Sequence, residues 1–199
     1  MTDILLPEYL AASWSTLDPK DREFCLMCWK HMSAEGLAAG PLKRVLLRRE
    51  QNREYDPLLD LKIEAARPTT CFGLSCEPRL CTVCFPNRTL FAHTPMMALF
   101  AATLLRESVK VIVHDEYGLT EAGLIARGQY VQFRPVDLTL YVNFDKHPSE
   151  PLASALDVND TWARRRYSAF FNKPSFSADK VSRSLQSLRK KTSYQSRHL

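Results

Sequence analysis

Residues 71–113 read CFGLSCEPRLCTVCFPNRTLFAHTPMMALFAATLLRESVKVIV. Three kinds of segment follow one another here. The first holds Cys71, Cys76, Cys81 and Cys84, punctuated by Gly73, Pro78, Pro86 and Pro95. Proline removes a backbone donor and glycine loosens the chain, so residues 68–95 are expected to form an irregular, cysteine-rich loop. Thr94-Pro95 then makes a cap followed by a residue suited to a first helical turn. Met96 to Glu107 follows, apolar on nearly every side, which predicts a buried helix. Val109 to Val113 is β-branched and predicts a strand. Loop, buried helix and strand in one stretch point to an α+β fold.

The flanks agree with that class. Asp18-Pro19 opens a helix that should run to about Ala34. Its middle, Phe24 to Trp29, is apolar all round. Pro41 to Arg53 predicts a second helix, with Leu42, Val45 and Leu46 inward and Lys43, Arg44, Arg48, Arg49 and Arg53 outward. Residues 57–63 suggest a turn or short helix. Beyond the quoted stretch, Thr120 to Arg127 reads as a short helix ended by Gly128. Tyr130 to Phe133 reads as a strand, and Val136 to Phe144 alternates as a half-buried strand does. The expected domain covers 1–174: a helical N-terminal half, a zinc-stabilised loop and a small mixed sheet. Residues 175–199 form a basic, serine-rich tail, disordered or partly helical. Val181, Leu185 and Leu188 could draw one weak helical stripe there, ordered on a partner.

Composition narrows the class. The chain has 199 residues, 45% hydrophobic and 25% charged, values that exclude wholesale disorder and collagen. Its six glycines never cluster, so a glycine-rich phosphate cradle is excluded. Residues 163–199 carry ten Lys or Arg against Asp179 alone, a balance of +9, while the first 162 residues balance to −4. A mildly acidic body with a basic end suggests a binding or targeting tail. No basic residue precedes Lys20, so no secretory n-region is expected. The longest apolar run, Met96 to Leu105, is about half of the ~20 residues that a bilayer span needs. An intracellular location, cytoplasmic or nuclear, with reduced thiols follows as the expectation.

All six cysteines lie in the first 84 residues. Clustered cysteines in a reducing compartment favour metal ligation over disulfides. Cys71, Cys76, Cys81 and Cys84 are the expected ligands of one structural Zn²⁺, since short loops turning at Gly73 and Pro78 could bring four thiolates to one centre. Cys81-Thr-Val-Cys84 supplies the half-site spacing. A rival set pairs Cys25 and Cys28, i and i+3 on one helix face, with Cys81 and Cys84. His31 or His93 could replace a ligand. The plain alternative is packing, because free cysteine is among the most buried residue types, and for Cys25 and Cys28 packing is the preferred reading.

Arg164, Arg165, Arg166 and Tyr167 adjoin Trp162, Phe170 and Phe171, a mixture suited to phosphates and unpaired bases. Arg189, Lys190 and Lys191 extend the charge or serve as a nuclear-import signal. The expected function is therefore a zinc-stabilised regulatory protein that binds nucleic acid, RNA before DNA. The alternative is a protein–protein adaptor or viral-type accessory factor whose tail serves localisation. No H-E-x-x-H or G-x-S-x-G motif occurs, so no enzyme is expected. A papain-like nucleophile at Cys28 would want a helix N-terminus, and Cys28 falls near mid-helix.

Overall fold

The computed structural model describes residues 6–33, 40–52, 59–65, 67–79, 81–115, 118–126, 130–133, 138–144, 158–164 and 175–195. The apolar helix read from the sequence is present and sits at the centre. It is α4 (Pro95–Leu105), and all of its side chains but Leu104 are buried. Thr94 caps it by accepting from the Met97 N–H at 3.2 Å, and Arg106, in the left-handed region at φ 58°, closes it. Against it lie α1 (Leu6–Thr16), α2 (Pro19–His31) and α5 (Ala178–Gln195), and α3 (Gly40–Asn52) packs beyond them on α2. α2 starts as expected, with the Asp18 carboxylate accepting from the Lys20 N–H at 2.8 Å.

The α+β class holds. Its sheet is larger than expected, and every strand pair described is antiparallel. The strands are β1 (Lys62–Glu64), β2 (Arg67–Cys71), β3 (Leu74–Ser75), β4 (Cys81–Cys84), β5 (Thr89–Ala92), β6 (Val109–Asp115), β7 (Gly118–Ala126) and β8 (Tyr130–Phe133), and they form one sheet in the order β1-β2-β3-β5-β4-β6-β7-β8. β9 (Leu138–Phe144), β10 (Val158–Arg164) and β11 (Ser175–Phe176) form a second, in the order β10-β9-β11. α4 packs against β4, β5 and β6 on one side and against α1, α2 and α5 on the others.

Three expectations are corrected. The stretch 68–95 is not an irregular loop but short strands joined by tight turns. Its prolines sit where a sheet tolerates them: Pro68 near the start of β2 and Pro78 and Pro86 between strands. Thr120 to Arg127 is not a helix. Residues 118–126 form β7, which pairs with β6 on one side and β8 on the other. Leu119, Thr120, Leu124 and Ile125 suit a pleated surface, and two ladders of neighbours outweigh a weak helical preference. The tail is not disordered along 178–195. It is the helix α5, whose Val181, Leu185 and Leu188 are buried in contact with the body. Ser182 Oγ also accepts from the Val131 N–H at 2.9 Å, joining α5 to β8 at the sheet's edge. α1 was not foreseen at all; its Leu10 and Trp14 belong to the same core.

Candidate thiol site

Helical spacing puts Cys25 and Cys28 on the buried side of α2, together with Phe24 and Trp29. Cys71 comes from a different element, the last residue of β2. α2 packs on β2, and the three thiols meet in the interface, each fully excluded from solvent. Cys71 Sγ donates to Cys25 Sγ across 3.5 Å. Cys28 hydrogen-bonds to Cys71 in the sense that favours the Cys71 thiolate. The thiols therefore form a short chain with Cys71 at its centre.

The hairpin that carries Cys71 is unusual. Cys71 pairs with Leu74, so Phe72 and Gly73 are the whole turn. Both have positive φ, 43° and 77°, the pattern of a two-residue turn matched to sheet twist. Phenylalanine is sterically disfavoured in that region, by on the order of 1–2 kcal/mol. What holds it there is packing. The Phe72 ring lies 5.4 Å from Trp14, 6.2 Å from Trp29 and 6.4 Å from Phe100. Trp14 stacks on Trp29 at 5.4 Å. The Trp29 indole N–H donates to the Cys71 carbonyl at 2.8 Å, which fixes α2 against the end of β2.

A second clamp acts on the same residue of α2. The Arg88 guanidinium donates to the Trp29 carbonyl at 3.2 Å, pairs with Glu107 at 2.9 Å and lies 4.2 Å over the Phe85 ring. One side chain thus ties α2, the β4–β5 turn and the segment after α4. The thiol cluster is held by two hydrogen-bonded clamps and an aromatic wall.

Burial and bonding keep Cys25 and Cys71 protonated. The bond to Cys25 and burial push Cys71 well above the ordinary thiol range; the bond from Cys28 opposes them. Burial raises Cys25, partly offset by its bond with Cys71. A half-buried polar rim borders the hairpin. The Phe72 N–H donates to the Leu59 carbonyl, and the His93 N–H to the Gly73 carbonyl at 3.4 Å. Burial lifts the Asp60 carboxyl, against Lys62, Arg79 and His93. Burial and the Arg79 charge lower His93, against Asp60.

The four cysteines expected to share a zinc are spread apart. Cys71 belongs to the cluster above. Cys76 follows β3, half-buried, its thiol 3.7 Å from the Pro68 carbonyl oxygen. Cys81 and Cys84 lie in β4, three residues apart and so on opposite faces: Cys81 is buried in the core, Cys84 partly exposed. β4 is paired on both edges, Cys81 opposite Ala92 and Val113. The C-x2-C segment is a strand instead of the expected turn, and closing it on a metal would require unpairing β4. Among the described residues no group of three or more His, Cys, Asp or Glu stands ready around a metal centre. His31 is exposed at the end of α2 and His93 half-buried at the rim.

For the basic set, Arg164 ends β10 opposite Leu138. Arg165, Arg166 and Tyr167 lie outside the described residues. Arg189, Lys190 and Lys191 are on α5, with Lys190 exposed and Arg189 partly buried. No helix among the described residues is long and apolar enough to cross a membrane.

Sequence reading missed the grouping of Cys71 with Cys25 and Cys28. The helical pair was visible at i and i+3. Nothing in the spacing of Cys71 separates it from Cys76, because the partner is chosen by the packing of α2 on β2.

No protein-family model and no curated protein sequence matches the chain. A solved structure does, that of the mercury-bound form of MerB2, with a TM-score of 0.56 over 94% of this chain and 98% of that one. The chain shares the fold of MerB2. Sequence identity with MerB2 is 14%, so the likeness concerns the path of the backbone.

Proposed function

We propose that this protein binds a soft, thiophilic metal ion, with Hg(II) as the best-suited occupant, between the sulfurs of Cys25 and Cys71. The observation that carries this reading is the contact at 3.5 Å between two buried sulfurs from different elements. Packing alone explains a buried cysteine, but it gives no reason for two from separate elements to meet sulfur to sulfur. Thiolates select soft cations. A structural zinc site wants four ligands, and among the described residues no group of even three stands ready around a centre. Soft d¹⁰ cations accept fewer.

Charge narrows the choice further. The site is dry, and an uncompensated buried charge is expensive. A divalent ion that displaces the two thiol protons leaves a neutral complex. A monovalent ion with two thiolates leaves one net negative charge. Binding must separate the sulfurs slightly and release protons, so it couples to pH. That MerB2 has a mercury-bound form on the same fold supports this reading by analogy of fold.

The test is titration with Hg(II) in an excess of a small monothiol, followed by ultraviolet sulfur-to-metal charge-transfer absorption. Single surface thiols lose mercury to such a buffer, whereas a buried chelating set keeps it. One Hg(II) per chain is expected, lost in Cys25→Ser and Cys71→Ser and kept in Cys76→Ser and Cys84→Ser. Retention after both Cys25 and Cys71 are replaced would overturn the reading.

A further inference from the structure

We infer that Cys25 and Cys71 are also a redox pair, closing to an intramolecular disulfide when the protein meets a peroxide. The inference needs no bound metal and stands apart from the metal reading, although it concerns the same sulfurs.

The geometry is that of a bond waiting to form. The two sulfurs touch at 3.5 Å, and covalent closure brings them to about 2.05 Å. They belong to α2 and β2, elements already locked together by the bond from Trp29 to the Cys71 carbonyl. Closure therefore asks for side-chain movement within an existing interface. The other cysteines are placed differently. Cys76 faces the Pro68 carbonyl, and Cys81 and Cys84 point to opposite faces of β4.

Burial selects the oxidant. Both sulfurs have no exposed surface, which bars a bulky disulfide such as oxidised glutathione. Hydrogen peroxide is small enough to enter on a local opening. The same opening admits water and lifts the burial that keeps the thiol protonated, so the first thiol gives up its proton there, and its sulfur attacks one peroxide oxygen. The O–O bond breaks, leaving a sulfenic acid and one water. The neighbouring thiol then attacks that sulfur, the S–O bond breaks and a second water leaves with its proton. Two thiols and one hydrogen peroxide become one disulfide and two waters. Two electrons pass from sulfur to oxygen. Contact between the thiols makes the second step fast, so over-oxidation to sulfinic acid is avoided.

The experiment treats the full metal-free chain with hydrogen peroxide under native conditions, alkylates the remaining thiols after denaturation, and maps the peptides by mass spectrometry. The free-thiol count should fall from six to four, with a single cross-link joining the peptides of Cys25 and Cys71. A dithiol reductant should restore all six. Cys76→Ser and Cys84→Ser should keep the cross-link, and Cys25→Ala should lose it. The melting temperature of the oxidised chain should rise, because the bond constrains the unfolded state. The inference is overturned if Cys76 or Cys84 collects sulfinic acid while Cys25 and Cys71 are recovered as thiols. It is equally overturned if the bond maps to Cys28 and Cys71. The unmodified chain alone distinguishes these outcomes, so a variant that fails to fold leaves the test intact.

Discussion

Cys71 shows how one buried thiol links stability to pH. Its folded-state pKa stands well above the ordinary thiol value, and that of Cys25 is raised too. An unfolded thiol ionises near pH 8.5. Below that value both states keep the proton, and the stabilisation is fully present. As pH rises through the unfolded value, the unfolded chain loses protons that the folded chain retains, and stability falls. The slope reaches about 1.4 kcal/mol per pH unit for each such thiol. Urea melts at pH 7, 8, 9 and 10 should therefore show a fall above pH 8.5. The fall should be shallower in Cys25→Ala, which removes one thiol and the bond that most raises the other. A pH-independent midpoint from 8 to 10 would mean that these thiols ionise freely and that the site is wetter than its burial implies. For metal binding the sign reverses. Affinity should rise with pH, since each thiolate bond releases a proton.

At the scale of the element, the Phe72-Gly73 turn sets two effects against each other. Asn is better suited than Phe to the first position of this turn. Relief of the left-handed backbone offers about 1–2 kcal/mol. The ring is buried among Trp14, Trp29 and Phe100, and losing a buried phenylalanine costs about 3–5 kcal/mol. Packing wins by magnitude, so Phe72→Asn should lower stability by roughly 1–4 kcal/mol, the difference between those figures. Chemical denaturation would show it; a stabilised variant would mean that the turn, not the aromatic wall, holds Cys71 in place. The same turn explains why this region was hard to read from sequence. Local signals in 68–95 are turn residues, and they are real turns. The strands between them are two to five residues long, too short for alternation to register. Cys81 acts there as a small apolar side chain. By contrast, α2 and α4 were legible because cap, proline and apolar run agree at each. β7 was misread because Glu121, Ala122 and Ala126 favour a helix locally, while pairing on both edges decides otherwise.

Across the whole molecule, the last helix decides whether the chain has a body and a tail. Its composition, rich in serine and basic residues, argues for a separate appendage. Its packing does not: α5 touches α1, α4, β8 and β11. The stripe of Val181, Leu185 and Leu188, read from sequence as weak, is buried to 1%, 1% and 4% exposure. Asp179, Lys180, Arg183 and Lys190 stay outside, so one helix serves the core and still presents positive charge. Burial of three such side chains is worth roughly 5–9 kcal/mol before the cost of ordering the helix. That gross figure is comparable with the whole stability of a domain, about 5–15 kcal/mol. Removal also strips cover from α1 and α4 and leaves the Val131 N–H of the edge strand without Ser182. Truncation after Pro174 should therefore unfold the chain or lower its melting temperature steeply. Leu185→Asp, which keeps the length and places one charge in the core, should do much the same. Thermal melts followed by circular dichroism decide the matter, with Lys190→Ser as a surface control expected to shift little. A truncated chain that melts like the full one would restore the picture of a free basic tail, because the stripe would then add nothing to the core. The thiol site is the sharper readout of the two. α1 carries Trp14 of the aromatic wall, and α5 packs on α1, so loosening α5 should weaken mercury retention in the monothiol buffer without any cysteine being changed.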